Sequence, residues 1–282
     1  MGHKRLGNLP NTGGWRRFKK ALADTAIDAE NVAQAGFDAL SRYLPDLHDE
    51  PGLSYCYWLL AQIVWQSRDK RYFDALKAQG IDVGPPEGIR STASFISRLA
   101  ATAQTSLSRD PNAGVFSNIA QLALRETLGR ALSPRAETLF GTTSDDIRTA
   151  CRDLSTTKQF GALSRNFFAS YLNRLLGYFI EREIPSHIGP EARFKTPDEV
   201  KGFQETVKSL CDRYVGTLEN YFHERARIVE SYAGAYGSLH AFQRNLSLPT
   251  IRKQFIPQAL TKLQSEIAKS ERSPQKQKEA AR

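Results

Sequence analysis

The chain lacks the marks of several protein classes, and each absence narrows what it can be. Its longest apolar run, Leu53 to Trp65, covers thirteen residues and contains Ser54 and Gln62, whereas a membrane-crossing helix needs about 20 apolar residues. No membrane insertion is expected. The first twenty residues have no apolar core of a secretory signal, and the start Met1-Gly2-His3-Lys4-Arg5-Leu6 lacks the Ser or Thr of a myristoylation site, so a cytoplasmic location is expected. The three cysteines, Cys56, Cys151 and Cys211, are odd in number and far apart. They form neither a disulfide framework nor a C-x-x-C motif, and they read as reduced core thiols.

Strand signals are equally scarce. There are only eight valines and no segment of sustained apolar/polar alternation, which points to an all-α chain. No phosphate loop, no G-x-G-x-x-G and no G-x-S-x-G occurs, so nucleotide or serine hydrolysis by those routes is not expected. His223-Glu224-Arg225-Ala226-Arg227 begins like a zinc-protease helix, but Arg227 stands where the second imidazole is needed. Neither a metal nor a cofactor is expected.

What the chain does have is unevenly placed positive charge. Of the formal +9, residues 1–20 supply +6 through Lys4, Arg5, Arg16, Arg17, Lys19 and Lys20 with no acid, and residues 251–282 supply +5. The body between them is slightly negative. Basic ends on such a body suit an acidic protein partner or nucleic acid. Arginine outnumbers lysine 25 to 14, and Arg148 and Arg152 are one helical turn apart; guanidinium forks suit phosphates and carboxylates alike.

Residues 1–14, with Gly2, Gly7, Pro10, Gly13 and Gly14, read as a flexible basic arm. From Trp15 the apolar positions Trp15, Phe18, Leu22, Ala26, Ala29, Ala33, Phe37, Leu40 and Leu44 repeat every eleven residues, predicting one helix of about thirty residues with an alanine-lined centre. Asp49-Glu50-Pro51 starts a second helix, apolar on every face and therefore central in a bundle. Gly84–Gly88 and Asp110–Gly114 break the chain. The second break divides an N-terminal helical subdomain (15–110) from a main aromatic-rich bundle (111–270), ahead of a disordered tail (271–282).

In the main bundle a helix is predicted over Val115–Leu132, Ser133-Pro134 is read as the cap of a short one, and Thr143 or Ser144 starts another. Phe160, Leu163, Phe167, Tyr171, Leu175 and Phe179 form the strongest helical stripe. Thr196-Pro197-Asp198-Glu199 then combines three helix-start signals. Residues 160–242 hold 14 of the 28 aromatics, which places the main core there. The fold expected is an all-α multi-helix bundle with an extended basic N-terminal arm and a polar C-terminal tail.

Two groups of candidate site residues emerge. Glu219, His223, Arg227 and Glu230 fall on one helix face, where the carboxylate and imidazole suit either acid–base work or, as preferred, an ion-pair ladder. His187, in the loop after Pro185, is either catalytic or a cap on the preceding helix. The second group is the arm and its junction: Lys4, Arg5, Trp15, Arg16, Arg17, Lys19 and Lys20, with Trp15 as an aromatic anchor. The leading expectation is a non-enzymatic interaction or scaffold subunit of a larger bacterial-type assembly. The alternative is a nucleic-acid-binding accessory protein. The stretch Leu122 to Glu183 resembles helical proteins of bacterial defence or mobile-element loci, a likeness that carries no named family and no functional residue.

Overall fold

The computed structural model describes residues 11–137, 141–224, 226–227 and 247–280, with side chains up to 269. The chain is mostly helical, and the described residues contain no strand, only an isolated bridge between Ile188 and Phe194. It divides into two compact units: residues 1–46, 172–217 and 260–282, and residues 47–171 and 218–259.

The first unit opens with α1 (Gly13–Ala23) and α2 (Ala29–Ser41) where one long helix is predicted. The apolar spacing runs on across the break, so periodicity alone does not reveal it. Polar groups make the stop. Asp24 accepts the Ala26 N–H at 3.0 Å, and Asp28 caps α2 by accepting from the Asn31 N–H at 2.8 Å and its amide at 2.6 Å. These bonds, the backbone one first, hold the Asp28 carboxyl below its ordinary pKa. Arg193 completes the turn: Nε donates to the Leu22 carbonyl at 2.8 Å, and Nη2 to those of Ala21 at 3.1 Å, Ile27 at 2.8 Å and Asp24. One guanidinium thus serves the carbonyls that the end of α1 leaves without helical partners.

The two helices pack closely because the contact is small: a Cβ at Gly14 would lie 3.0 Å from Ala39 Cα. The neighbour of α1 is α2, the other half of the same apolar pattern, and the expected alanine-lined centre is instead the site of the break, with Ala26 exposed between the two helices. Gly13 and Gly14, assigned to the arm from composition, belong to α1, with Gly14 buried. Residues 1–10 lie outside the described residues.

The second unit is built around α3 (Pro51–Gln66), of which only Tyr55 is not buried. Glu50 caps it, accepting from the Gly52 N–H at 3.3 Å and from the Ser117 hydroxyl. A short helix α4 (Tyr72–Ala78) follows, then α5 (Thr92–Leu107), α6 (Val115–Ala136) and α7 (Ser144–Asp153). The break at Asp110–Gly114 is a turn joining α5 to α6, and both helices belong to this unit. Ser133-Pro134 starts no new helix. Pro134 sits in the last turn of α6, where its missing N–H removes a single bond, and the Glu137 N–H still reaches the Ser133 carbonyl at 3.1 Å.

The long helix α8 (Thr157–Ile180) supplies residues to both units. In the second, Phe167 and Phe168 lie 5.8 and 5.6 Å from Tyr57, which also stacks on Phe255 at 4.5 Å, and the buried Tyr57 hydroxyl meets Ser164 at 3.0 Å. In the first, Phe179 contacts Trp15 and Tyr43, and Tyr214 of α9 (Pro197–Gly216) contacts Phe37 at 5.1 Å. Thr196 caps α9 by accepting from the Glu199 N–H, as its start signals predict.

Before the last helix, α10 (Ile256–Ala280), residues 251–255 form a widened turn in which the Ile256 N–H bonds the Ile251 carbonyl. Pro257, which has no N–H, follows directly, so the regular ladder starts after it. The helix takes in most of the residues read from composition as a disordered tail; Gln275, Lys276, Gln277, Lys278, Glu279 and Ala280 are all good helix formers.

Two substitutions test this architecture. Phe167 is fully buried, so Phe167→Ala is expected to cost about 3–5 kcal/mol in chemical denaturation. Arg193→Ala is expected to cost about 2–3 kcal/mol by removing charge-assisted bonds, and Arg193→Lys to recover less than half of that, because an ammonium cannot fork across separate carbonyls.

Candidate functional site

Helix α1 has two faces of opposite character. Trp15, Phe18 and Leu22 are buried, while Arg16, Arg17 and Lys20 are exposed. Positions 16, 17 and 20 share one side of a helix by spacing. None of the three makes an ion pair or side-chain hydrogen bond among the described residues. Lys19 differs, because it is paired with Glu183 at 2.8 Å. Lys4 and Arg5 lie outside the described residues.

Trp15 is not the exposed aromatic anchor expected from the sequence. It is only 2% exposed, with its ring 4.8 Å from Phe179 and edge-on to Phe18 at 5.8 Å. The correction has a simple cause: Trp15 begins the apolar stripe of α1, and the stripe faces α2 and the end of α8. The basic site therefore consists of cations without an aromatic member.

His187 lies in the turn Ile184–His187 after α8. The α8 carbonyls of Gly177 and Ile180 are taken by the Glu181 and Glu183 N–H groups, and the imidazole makes no cap to them. Burial pushes the imidazole below its usual pKa; Arg193 and Lys19 act in the same direction and Glu183 opposes them. His187 therefore sits within the electrostatic reach of Lys19, in the surroundings of α1.

The Glu219–His223 pair is brought together only loosely. His223 Nε2 is 3.8 Å from Glu219 Oε1, too far for a hydrogen bond, while Glu219 Oε2 is engaged by Arg165 at 3.2 Å. Arg227 pairs with Glu224 at 3.8 Å. Glu230 lies outside the described residues. The imidazole rests on α8 at Gly161, where a Cβ would come within 2.0 Å of His223 Cδ2. Its Nε2 is buried and has no hydrogen-bond partner among the described residues. The sequence gives no sign of this contact, because its glycine is 62 positions upstream.

The three cysteines are free and buried, and burial pushes their thiols up, that of Cys151 to about 12. Thiolate chemistry is thereby disfavoured at all three. No group of three or more His, Cys, Asp and Glu side chains suited to a metal ion is present among the described residues.

Comparison with known proteins adds no identification: no family model, curated protein or solved structure matches the chain.

The Gly161 contact is open to a direct test. Gly161→Ala is expected to destabilise the fold by about 1–3 kcal/mol through overpacking. In combination with His223→Ala the penalty should largely vanish, giving a coupling of about 1 kcal/mol or more in a double-mutant cycle. Additive penalties would mean that the imidazole does not rest there.

Proposed function

We propose that this chain is a non-enzymatic helical interaction subunit of a larger bacterial-type assembly, and that it engages an acidic partner protein through the basic face of its first helix. The observation that carries this reading is the sidedness of α1. Its apolar half is consumed by the core, and Arg16, Arg17 and Lys20 stand exposed without carboxylate partners among the described residues. Three cations on one helix face attract an acidic surface, accelerate encounter and repel basic partners. Lys4 and Arg5 precede this face in the chain. The loose Glu219–His223 geometry supports a non-enzymatic role, since the carboxylate is already committed to Arg165.

A second reading, nucleic-acid binding, gains from the burial of Trp15. A protein interface draws most of its energy from buried aromatic and arginine anchors. A phosphate backbone is recognised by charge alone. Removing the aromatic anchor leaves a site that suits either partner. No helix of the described residues is long and apolar enough to cross a membrane.

The test is Arg16→Glu, Arg17→Glu and Lys20→Glu in one protein, with pull-down from the native host before and after nuclease treatment. Because these side chains are exposed, the melting temperature should stay within a few degrees. Loss of a nuclease-resistant acidic partner supports the first reading. Loss of nuclease-sensitive nucleic acid, with the slope of log affinity against log salt flattened by about 2 to 3, supports the second. Retention of every partner at full affinity eliminates the α1 face.

A further inference from the structure

With Trp15 buried, the exposed face of α1 has charge but no large apolar member of its own. One stands beside it. Among the described residues the exposed large apolar side chains are Val115, Leu122 and Ile188, and of these only Ile188, the most exposed at 50%, belongs to the same unit as α1.

The segment that carries Ile188 is fastened on both sides of it. Before it, Glu183 pairs with Lys19 of α1 at 2.8 Å. After it, Arg193 gathers the carbonyls of the α1–α2 turn, and Phe194 is buried with its ring 5.5 Å from Phe203 of α9. Ile188 is bridged to Phe194: the Gly189 N–H donates to the Phe194 carbonyl at 2.9 Å, and the Phe194 N–H donates to the His187 carbonyl at 3.0 Å. The backbone at Ile188 is thus held next to the arginine that clasps α1, while its side chain stays half in water. A side chain on a fixed backbone costs less to order on binding than one on a loose loop.

Lys19 sets the side of α1 on which this segment lies. On a helical circumference position 19 falls between the buried stripe of Trp15, Phe18 and Leu22 and the edge formed by Arg16 and Lys20. The ion pair with Glu183 therefore brings the segment to that edge. Ala23, one turn after Lys19, is exposed on the same side, and Pro185 and Pro190, near Ile188 in the chain, are exposed as well. Apolar surface thus borders cations that have no carboxylate partner among the described residues.

We propose that Ile188 is the apolar anchor of the α1 surface, and that this surface fits an acidic protein segment carrying an aliphatic or aromatic side chain among its carboxylates. The proposal rests on the reading of α1 as an interaction face and names the chemistry of its partner. Arg16, Arg17 and Lys20 fix the sign of that partner's charge. Ile188 selects within the class, because a protein segment that covers it removes apolar area from water. The phosphate backbone of a duplex offers charge and no comparable apolar cover.

Fluorescence anisotropy of the full chain with two labelled synthetic peptides, repeats of Glu-Glu-Leu and of Glu-Glu-Ser with equal length and charge, and with duplex DNA tests the proposal. The leucine peptide is expected to bind about fivefold or more tightly than the serine peptide. Ile188→Ser should abolish that preference while leaving the affinity for the serine peptide unchanged, and the exposed position should keep the melting temperature within a few degrees. Ile188→Leu should retain the preference, which separates apolar contact from disturbance of the segment. Equal binding of the two peptides, a preference that survives Ile188→Ser, or no saturation of either peptide at millimolar concentration overturns the anchor. Tighter binding of DNA than of the leucine peptide, indifferent to Ile188→Ser, overturns it in favour of nucleic acid. Charge reversal at Arg16, Arg17 and Lys20 distinguishes the two levels: weakened binding of both peptides without a leucine preference removes the anchor and keeps the α1 face, whereas peptide binding unchanged by the reversal removes both.

Discussion

A helix that stops leaves its last carbonyls without partners, and in this chain arginine side chains recur at such places. The four carbonyls gathered by Arg193 are those of Ala21, Leu22, Asp24 and Ile27, so one side chain serves both the end of α1 and the turn into α2. Arg98 does the same for an irregular stretch, donating to the carbonyls of Val83, Pro85 and Gly88 at 3.0, 3.3 and 2.8 Å. A would-be Cβ at Gly84 or Gly88 falls 2.7 and 2.4 Å from that guanidinium, so the glycines leave room for it. Arg148 and Arg252 donate in the same way to the carbonyls of Asp69 and Asp49. Arg193 and Arg98 fasten turns between helices, and they supply donors to part-buried carbonyls that would be costly to leave unpaired.

This use of arginine explains why some features were legible in the sequence and others were not. Helix starts are local: the caps at Glu50, Thr143 and Thr196 lie within four residues of the N–H groups they serve, and each can be read from neighbouring letters. The stripe from Phe160 to Phe179 is also local, and it folds into one continuous buried helix face. The stop between α1 and α2 is different. Its decisive donor is 166 to 172 positions away along the chain, and the apolar residues on either side keep helical spacing across the turn. No window of sequence short enough to show a periodicity contains both partners.

The candidate sites follow the same division. Exposure of Arg16, Arg17 and Lys20 follows from their positions opposite the Trp15–Phe18–Leu22 stripe, so the basic face is implicit in the spacing. The same spacing starts the apolar stripe at Trp15, and its burial in that stripe is incompatible with a role as an exposed anchor. The His223 contact with Gly161 and the place of Ile188 beside α1 require the packing of one element on another, which no local pattern encodes.

The excess of arginine over lysine therefore has two components with different meanings for function. The heads of Arg193 and Arg98, which each donate to several backbone carbonyls, are structural, and lysine does not replace their planar fork; Arg148 and Arg252 each give one such bond. Their charge still contributes to the total, but the heads of Arg193 and Arg98 are committed to the backbone. Arg16, Arg17 and Arg152 carry the same charge and make no side-chain hydrogen bond or ion pair among the described residues. A partner or ligand that recognises this protein electrostatically is steered by the sum of all the cations and held by the few whose hydrogen bonds remain to be made. Net charge alone thus overstates the binding surface of such a protein, and the packing of the forks decides how much of it is left.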